Sequence, residues 1–306
     1  LVILVVSSIL LQRHLGGRYP RKYLALRLIT ILLTGGFFVS MYWASYSNTF
    51  ANIVCKAFGI NIQYYDQTGS AQHNGPIVQF MINLDTKIMD KPAGYSKARI
   101  QAIMKKYDGV ATEINKTRKS TLKNQTVLFV LSESFSDPNR VPNLKVSPNP
   151  MPYLTSLKKK TNSGIMLSQG YGGGTADMEW ESFTGLALSN LSPTLTTPYT
   201  QLVPQQKVSP AFTDLFDNKF AVHPYNASLY NRKQVYKKIG FQKFYYQGSS
   251  YRLSDQKRLG TSPYVSDKAA YKDTLKLLKQ NQKGSKFVQL STMQNHLPFS
   301  NLVPCQ

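Results

Sequence analysis

Glu133 closes the apolar run Thr126-Val127-Leu128-Phe129-Val130-Leu131-Ser132, and Thr175 follows the triple glycine Gly172-Gly173-Gly174. A carboxylate at the mouth of a buried strand is a good ligand for a hard cation. Thr175 stands where the glycine turn opens into the helix-like Ala176-Asp177-Met178-Glu179-Trp180-Glu181. Helix-start N–H groups favour an anion there, and glycines let the backbone approach a phosphate closely. A cation on the Thr175 hydroxyl would lower its pKa and make it a nucleophile. The pair points to metal-assisted phosphoryl transfer. A plainer reading stands beside it: threonine is a common helix cap, and Glu133 could be a surface acid at a strand end.

Two further stretches carry groups suited to a phosphate ester. Tyr225, Tyr230 and Arg232 lie within Ala221-Val222-His223-Pro224-Tyr225-Asn226-Ala227-Ser228-Leu229-Tyr230-Asn231-Arg232. An arginine among aromatics can grip a phosphate through two donors while a ring covers a short carbon chain. The alternative is an exposed arginine beside core tyrosines. His296, in Gln294-Asn295-His296-Leu297, is either a satisfied strand-end histidine or a donor to a phosphoryl oxygen or leaving group.

These residues need elements to place them. From Asn124 onward, short apolar runs alternate with helical stretches. Strands are expected over Thr126–Ser132, Gly164–Leu167, Phe220–Val222 and Lys286–Leu290. Helices are expected over Pro152–Lys159, Thr175–Leu188, Pro210–Phe216 and Ser266–Leu278, with Ser266-Asp267 as a start signal. Such alternation predicts an α/β domain with a mostly parallel sheet flanked by helices. Ligands of such sheets bind beyond the carboxyl ends of the strands, which is where Glu133, His223 and Asn295-His296 fall. Upstream, Ser96–Tyr107 reads as a capped amphipathic helix stopped by Gly109, followed by a basic connector with Lys116, Arg118, Lys119 and Lys123. That connector is either a solvated linker or a stalk resting on anionic headgroups.

The first part of the chain has a membrane character. Leu24 to Ala44 is about the length needed to cross a bilayer, with Arg27 near one end and Tyr42-Trp43 at the other. The apolar run Leu1–Leu11 precedes it, and four positive charges without an acid lie between the two, at Arg13, Arg18, Arg21 and Lys22. This asymmetry places the loop in the cytoplasm and the rest outside the cell. The expected organisation is a transmembrane region over 1–46, an extracellular juxtamembrane linker over 47–123 and a catalytic domain over 124–306. Absence of an initiator Met and an abrupt end at Cys305-Gln306 suggest a chain cut at both ends. The net charge of +22, from 37 Lys+Arg against 15 Asp+Glu, suits polyanions such as lipid headgroups or phosphate-rich wall polymers. Outside a membrane, nucleic acid is the poorest of those partners. Cys55 and Cys305 imply no disulfide framework.

The stretch from about Asn124 onward resembles the lipoteichoic acid synthase family of the sulfatase and alkaline phosphatase superfamily. The matching pieces are Phe129-Val130-Leu131-Ser132-Glu133-Ser134-Phe135, Gly172-Gly173-Gly174-Thr175-Ala176-Asp177-Met178-Glu179, Tyr230-Asn231-Arg232, Val235-Tyr236, Gly240-Phe241-Gln242-Lys243-Phe244 and Gln294-Asn295-His296. The resemblance implies a phosphoglycerol transferase that builds polyglycerolphosphate from phosphatidylglycerol. It implies that Glu133 and Thr175 ligate one divalent cation, usually Mn2+ with Mg2+ as the other choice. It also implies that Thr175 forms a glycerophosphoryl intermediate, that Arg232 and His296 hold the glycerophosphate, and that Tyr230 covers the glycerol. Tyr225 falls where family members differ and receives no role.

One departure matters. The family completes its metal site with an Asp-His pair nearer the C-terminus, and none follows His296. Glu133 and Thr175 are too few for a closed site, so this chain alone is expected to bind metal weakly and to be inactive. Two other classes remain: a related phosphodiesterase, hydrolase or glycan-directed transferase, and a non-catalytic basic binder of wall polymers. A sulfatase proper is disfavoured, because Thr175 cannot supply formylglycine.

Overall fold

The computed structural model describes residues 24–44, 48–61, 66–84, 88–89, 91–169, 173–192 and 195–297. The chain divides into two compact units, one of residues 1–62 and 76–85, the other of residues 63–75 and 86–306.

In the first unit, α1 (Leu24–Ser40), a 3-10 turn (Met41–Trp43), α2 (Phe50–Ala57) and, later in the chain, Pro76–Ile82 are helical. Thr49 caps α2 by accepting from the Asn52 N–H at 3.2 Å. Over the expected span Leu24 to Ala44, the α-helix runs from Leu24 to Ser40 and gives way to the 3-10 turn. The reason is packing, since Met41 and Ala44 turn inward to share a buried cluster with Ala51 and Cys55. Among the described residues, no helix is long and apolar enough to cross a membrane. The first apolar run and the basic loop lie outside the described residues.

The second unit is built on four parallel strands, β1 (Thr126–Leu131), β2 (Asn218–His223), β3 (Lys243–Tyr246) and β4 (Lys286–Ser291), in the order β1-β4-β2-β3. Central β4 is buried at every residue, as expected of a strand covered on both faces. Side chains alternate between faces. Phe287, Ala221 and Phe129 meet Ala176, Trp180, Phe183, Val235 and Tyr236 on one face. Val288, Leu290, Phe220 and Val222 meet Ala270 and Leu277 on the other. The α/β fold with a helix-flanked parallel sheet is therefore as the sequence pattern requires.

Three helices matter for the site: α3 (Thr175–Thr184), α4 (Arg232–Ile239) and α5 (Asp267–Lys279). Ser266 caps α5 by accepting from the Ala269 N–H at 3.3 Å. The first of the three is shorter than expected because Gly185, at φ 69°, closes it in the left-handed region.

Gly164–Leu167 is not a strand. Ile165, Met166 and Leu167 stand at least 71 % exposed with no pairing partner, and a strand without a neighbour leaves its backbone groups unmatched. Lys243–Tyr246 takes the place of the fourth strand. Pro210–Phe216 forms only a 3-10 segment, Phe212–Leu215. The helix after Ser96 runs over Lys97–Thr117, straight through Gly109, because one glycine costs a helix only about 1 kcal/mol.

Candidate active site

The site lies where the sheet topology predicts, beyond the carboxyl ends of β1, β2 and β4. Val127, Phe129 and Glu133 share one parity along β1 and its extension, and the first two pack in the same cluster as Ala176 and Trp180 of α3. The alternation that buries Phe129 thus carries Glu133 to the side where α3 begins.

There, the Thr175 hydroxyl donates to Glu133 Oε2 at 2.7 Å. Thr175 is not the helix cap: Gly174 holds that position at φ 81°, and no side chain caps the helix. The hydroxyl is committed to the carboxylate, not to its own backbone. Gly174 is required by its backbone angle, a left-handed conformation that side-chain-bearing residues adopt at a cost. Gly172 lies outside the described residues. The other Glu133 oxygen accepts from Ser134 Oγ at 3.2 Å, and the Glu133 N–H donates to Thr292 Oγ1, just past β4, at 3.1 Å. Ser134 itself sits at φ 48°, a strained angle of the kind that accumulates at functional sites. Glu133 is therefore held by the start of α3, by the residue that follows it and by the end of neighbouring β4.

Arg232 is neither exposed nor free to grip a ligand from all sides. It is 2 % exposed, and its Nη2 pairs with Glu179 Oε1 at 2.9 Å. Glu179, fully buried one turn beyond Thr175 on α3, also accepts from Tyr236 Oη at 2.9 Å and Ser291 Oγ at 2.7 Å. Burial alone would raise the Glu179 pKa; the Arg232 guanidinium and the Ser291 hydrogen bond outweigh it and hold the carboxyl below its ordinary value. Arg232 Nε has no partner among the described residues, leaving one donor of a fixed, charged guanidinium for a ligand. The Tyr230 ring lies 5.0 Å from the guanidinium carbon. Tyr230 and Asn231 both adopt left-handed angles, φ 56° and 53°, which turn the chain sharply into α4.

His223 ends β2, almost fully buried, with Nδ1 3.2 Å from the Ser291 carbonyl and Nε2 unpartnered among the described residues. Burial, with the Arg232 charge adding, pushes its pKa down to about 3, so the ring is neutral. His296 sits with Nδ1 2.6 Å from the Leu297 carbonyl and 3.2 Å from Tyr264 Oη. It lies within electrostatic reach of His223, as Glu133 does of Tyr230 and Tyr264. Glu133, Thr175, Tyr230, Arg232 and His296, 163 residues apart at the extremes, thus form one constellation. Tyr225 touches its edge through the rings of His223 and Tyr264.

Sequence reasoning gave no role to Glu179, Tyr236 and Ser291, which immobilise Arg232, or to Asp177. The last is 7 % exposed, with Oδ1 unpartnered and a pKa pushed up to about 7 by burial and then by Glu181 and Glu179. The signal for Glu179 was its four-residue spacing from Thr175, which puts both on one helix face.

The oxygen donors of Glu133 and Thr175 suit a hard cation in type. They fall short in number: among the described residues, no group of three or more His, Cys, Asp or Glu stands together as a metal site.

Residues 125–306 match the family model described as Sulfatase. A Streptococcus pyogenes phosphoglycerol transferase, GacH, solved in complex with sn-glycerol-1-phosphate, is similar in structure, with TM-score 0.65 and 38 % identity over 70 % of this chain and 56 % of that one. The lipoteichoic acid synthase LtaP of Listeria monocytogenes aligns at TM-score 0.45 and 27 % identity, over 60 % of this chain and 43 % of that one. Among curated proteins, a candidate cyclic beta-1,2-glucan modification protein of Rhizobium meliloti (strain 1021) is 29 % identical over 98 % of this chain and 44 % of its own length. The chain spans about half the length of the relatives it matches. With the family model covering more than half of the chain, on the parallel sheet and site just described, this protein belongs to the sulfatase family.

Proposed function

We propose that the chain is the nucleophile-bearing portion of a membrane-anchored, extracellular phosphoglycerol transferase. The observation that carries this reading is the 2.7 Å contact between Thr175 Oγ1 and Glu133 Oε2 at the start of α3. The similarity to a phosphoglycerol transferase solved with sn-glycerol-1-phosphate supports the substrate class.

In the first half-reaction, Thr175 Oγ attacks the phosphorus of phosphatidylglycerol. The bond from phosphorus to the diacylglycerol oxygen breaks, and the glycerophosphoryl group stays on Thr175. Glu133 Oε2 already holds the threonine proton in a hydrogen bond and is placed to take it. His296 would protonate the departing diacylglycerol oxygen. Arg232 Nε and His223 Nε2 offer fixed polar contacts, and the Tyr230 ring packs over the glycerol. In the second half-reaction an acceptor hydroxyl gives its proton to His296 and attacks the same phosphorus, the phosphorus–Thr175 oxygen bond breaks, and Glu133 returns the proton to Thr175 Oγ. Glu133 and Thr175 would also hold a divalent cation, Mn2+ or Mg2+, with further ligands beyond these two, and that ion would supply Lewis acidity at the phosphate and the nucleophile.

The acceptor in the primary reading is a growing glycerophosphate polymer, as in lipoteichoic acid. A glycan acceptor is a second reading, favoured by the glucan-modification relative that aligns over 98 % of this chain. Membrane anchoring is supported by the basic loop between apolar runs and by the exposed apolar residues Leu32, Leu33 and Val39 of α1.

The test follows diacylglycerol release from labelled phosphatidylglycerol by the full-length protein, with glycerophosphate polymer or cyclic glucan as acceptor. Release that disappears in Thr175→Ala, with label on one acceptor, supports the transferase. Release unchanged in that variant, or label recovered only as free glycerophosphate, contradicts it.

A further inference from the structure

The helix Lys97–Thr117 buries none of its residues. Its apolar side chains Ile100, Ile103, Met104, Tyr107, Val110 and Ile114 are between 39 % and 59 % exposed. Their spacing places them on one arc about 120° wide, running along a helix of 21 residues, about 30 Å long. A soluble helix normally buries such an arc, and an exposed apolar stripe marks a surface with a partner.

The charges around the arc say which partner. On the helical wheel, Arg99 and Lys106 flank one side of the arc and Lys97 the other, with Asp108 beside it. Lys105 and Lys116 lie on the far face, and Lys116 pairs with the remaining acid, Glu113, at 2.7 Å. Directly after the helix come Arg118, Lys119 and Lys123, with no acid before Glu133. A second copy of the same helix, packed antiparallel, would bring the Arg99–Lys106 edges together, like charge against like. An anionic lipid surface neutralises them, while flanking lysines and arginines reach out to headgroups and apolar side chains enter the acyl boundary.

We propose that Lys97–Thr117 lies in the plane of an anionic membrane surface, with the Ile103–Met104–Tyr107 side submerged and the Gly109 side in water. This is a lipid-facing surface of the soluble-looking segment, separate from any spanning helix. It rests on the membrane location of the proposed function but not on its chemistry.

The test uses the whole chain, with Cys55→Ala and Cys305→Ser, reconstituted in phosphatidylglycerol–phosphatidylcholine vesicles. A fluorophore is attached to Met104→Cys or, on the opposite face, to Gly109→Cys. Expected is several-fold stronger quenching of the 104 label by a lipid-borne nitroxide, and several-fold weaker quenching by aqueous iodide, than for the 109 label. In phosphatidylcholine alone, or in Arg99→Glu/Lys106→Glu, lipid quenching at 104 should fall several-fold. Equal iodide access at both positions overturns the proposal. So does a 104 label shielded from both quenchers, which would mean protein covers the arc. Lipid quenching indifferent to headgroup charge also overturns it. Diacylglycerol release, measured separately on the full-length protein, tells a failed helix placement from a failed enzyme.

Discussion

Arg232 is held by Glu179 across a buried contact of 2.9 Å, with both side chains at most 2 % exposed. The arginine that the substrate would meet is therefore set from beneath by the helix that begins with Thr175. Nucleophile and guanidinium are referenced to one rigid element, which is how a site holds reacting groups in productive geometry.

Breaking that pair should be costly. Removing one partner of a buried ion pair leaves an uncompensated charge, at about 3–5 kcal/mol. Glu179→Ala should therefore lower the urea midpoint strongly. Glu179→Gln should recover part of the loss, because it keeps two of the polar contacts. A Glu179→Ala unfolding free energy within about 1 kcal/mol of the parent, a rough limit for a minor effect, would show that the network does not bear stability.

Tyr230 offers a subtler test. Its ring sits 5.0 Å from the Arg232 carbon, a cation–π contact worth about 0.5–2 kcal/mol. Tyr230→Leu should raise KM for the glycerophosphate donor by roughly 2- to 30-fold with a smaller change in kcat. Steady-state kinetics on phosphatidylglycerol reads this directly; an unchanged KM would remove Tyr230 from the binding role.

His223 gives the fold a pH dependence. Its pKa is pushed down to about 3 in the folded chain, first by burial and then by Arg232, against about 6.5 unfolded. Between those values the unfolded chain binds a proton that the folded chain refuses, so stability is full above about pH 6.5 and declines as pH falls towards 3. From pH 6 to 5 the contribution approaches about 1.4 kcal/mol per unit. Unfolding at several pH values should show this slope, and His223→Asn should flatten it. A slope identical in both proteins would place the titration elsewhere.

Metal binding should depend on both members of the central pair. With two oxygen donors, the chain should bind Mn2+ weakly by calorimetry, and Glu133→Gln should abolish even that. Tight binding that survives Glu133→Gln would put the ion somewhere else.

Much of this arrangement was legible in the residues. Thr126–Leu131 and Lys286–Ser291 are dense in β-branched and aromatic residues and flanked by polar breaks, so both strands and the position of Glu133 followed. The Gly174–Thr175 boundary followed from glycine before a helical pattern. Gly164–Leu167 misled because an apolar run carries strand propensity without saying whether a neighbour exists to pair with it. Lys243–Tyr246 was missed as a strand because two tyrosines and a lysine offer no plain alternation, and its pairing with Phe220–His223 is a tertiary fact. The end of α1 at Ser40 likewise depends on where Met41 and Ala44 pack. Burial of Arg232 was hidden for the same reason: its partner Glu179 lies 53 residues away in sequence.

The account stands on Thr175 acting as a covalent nucleophile. The direct measurement is mass spectrometry of the full-length protein after brief incubation with phosphatidylglycerol and no acceptor, followed by peptide mapping. A glycerophosphoryl group on the peptide containing Thr175, lost on adding acceptor and absent from Thr175→Ala, is the predicted result. Turnover with no adduct on that residue, or an adduct mapped to another side chain, would contradict it.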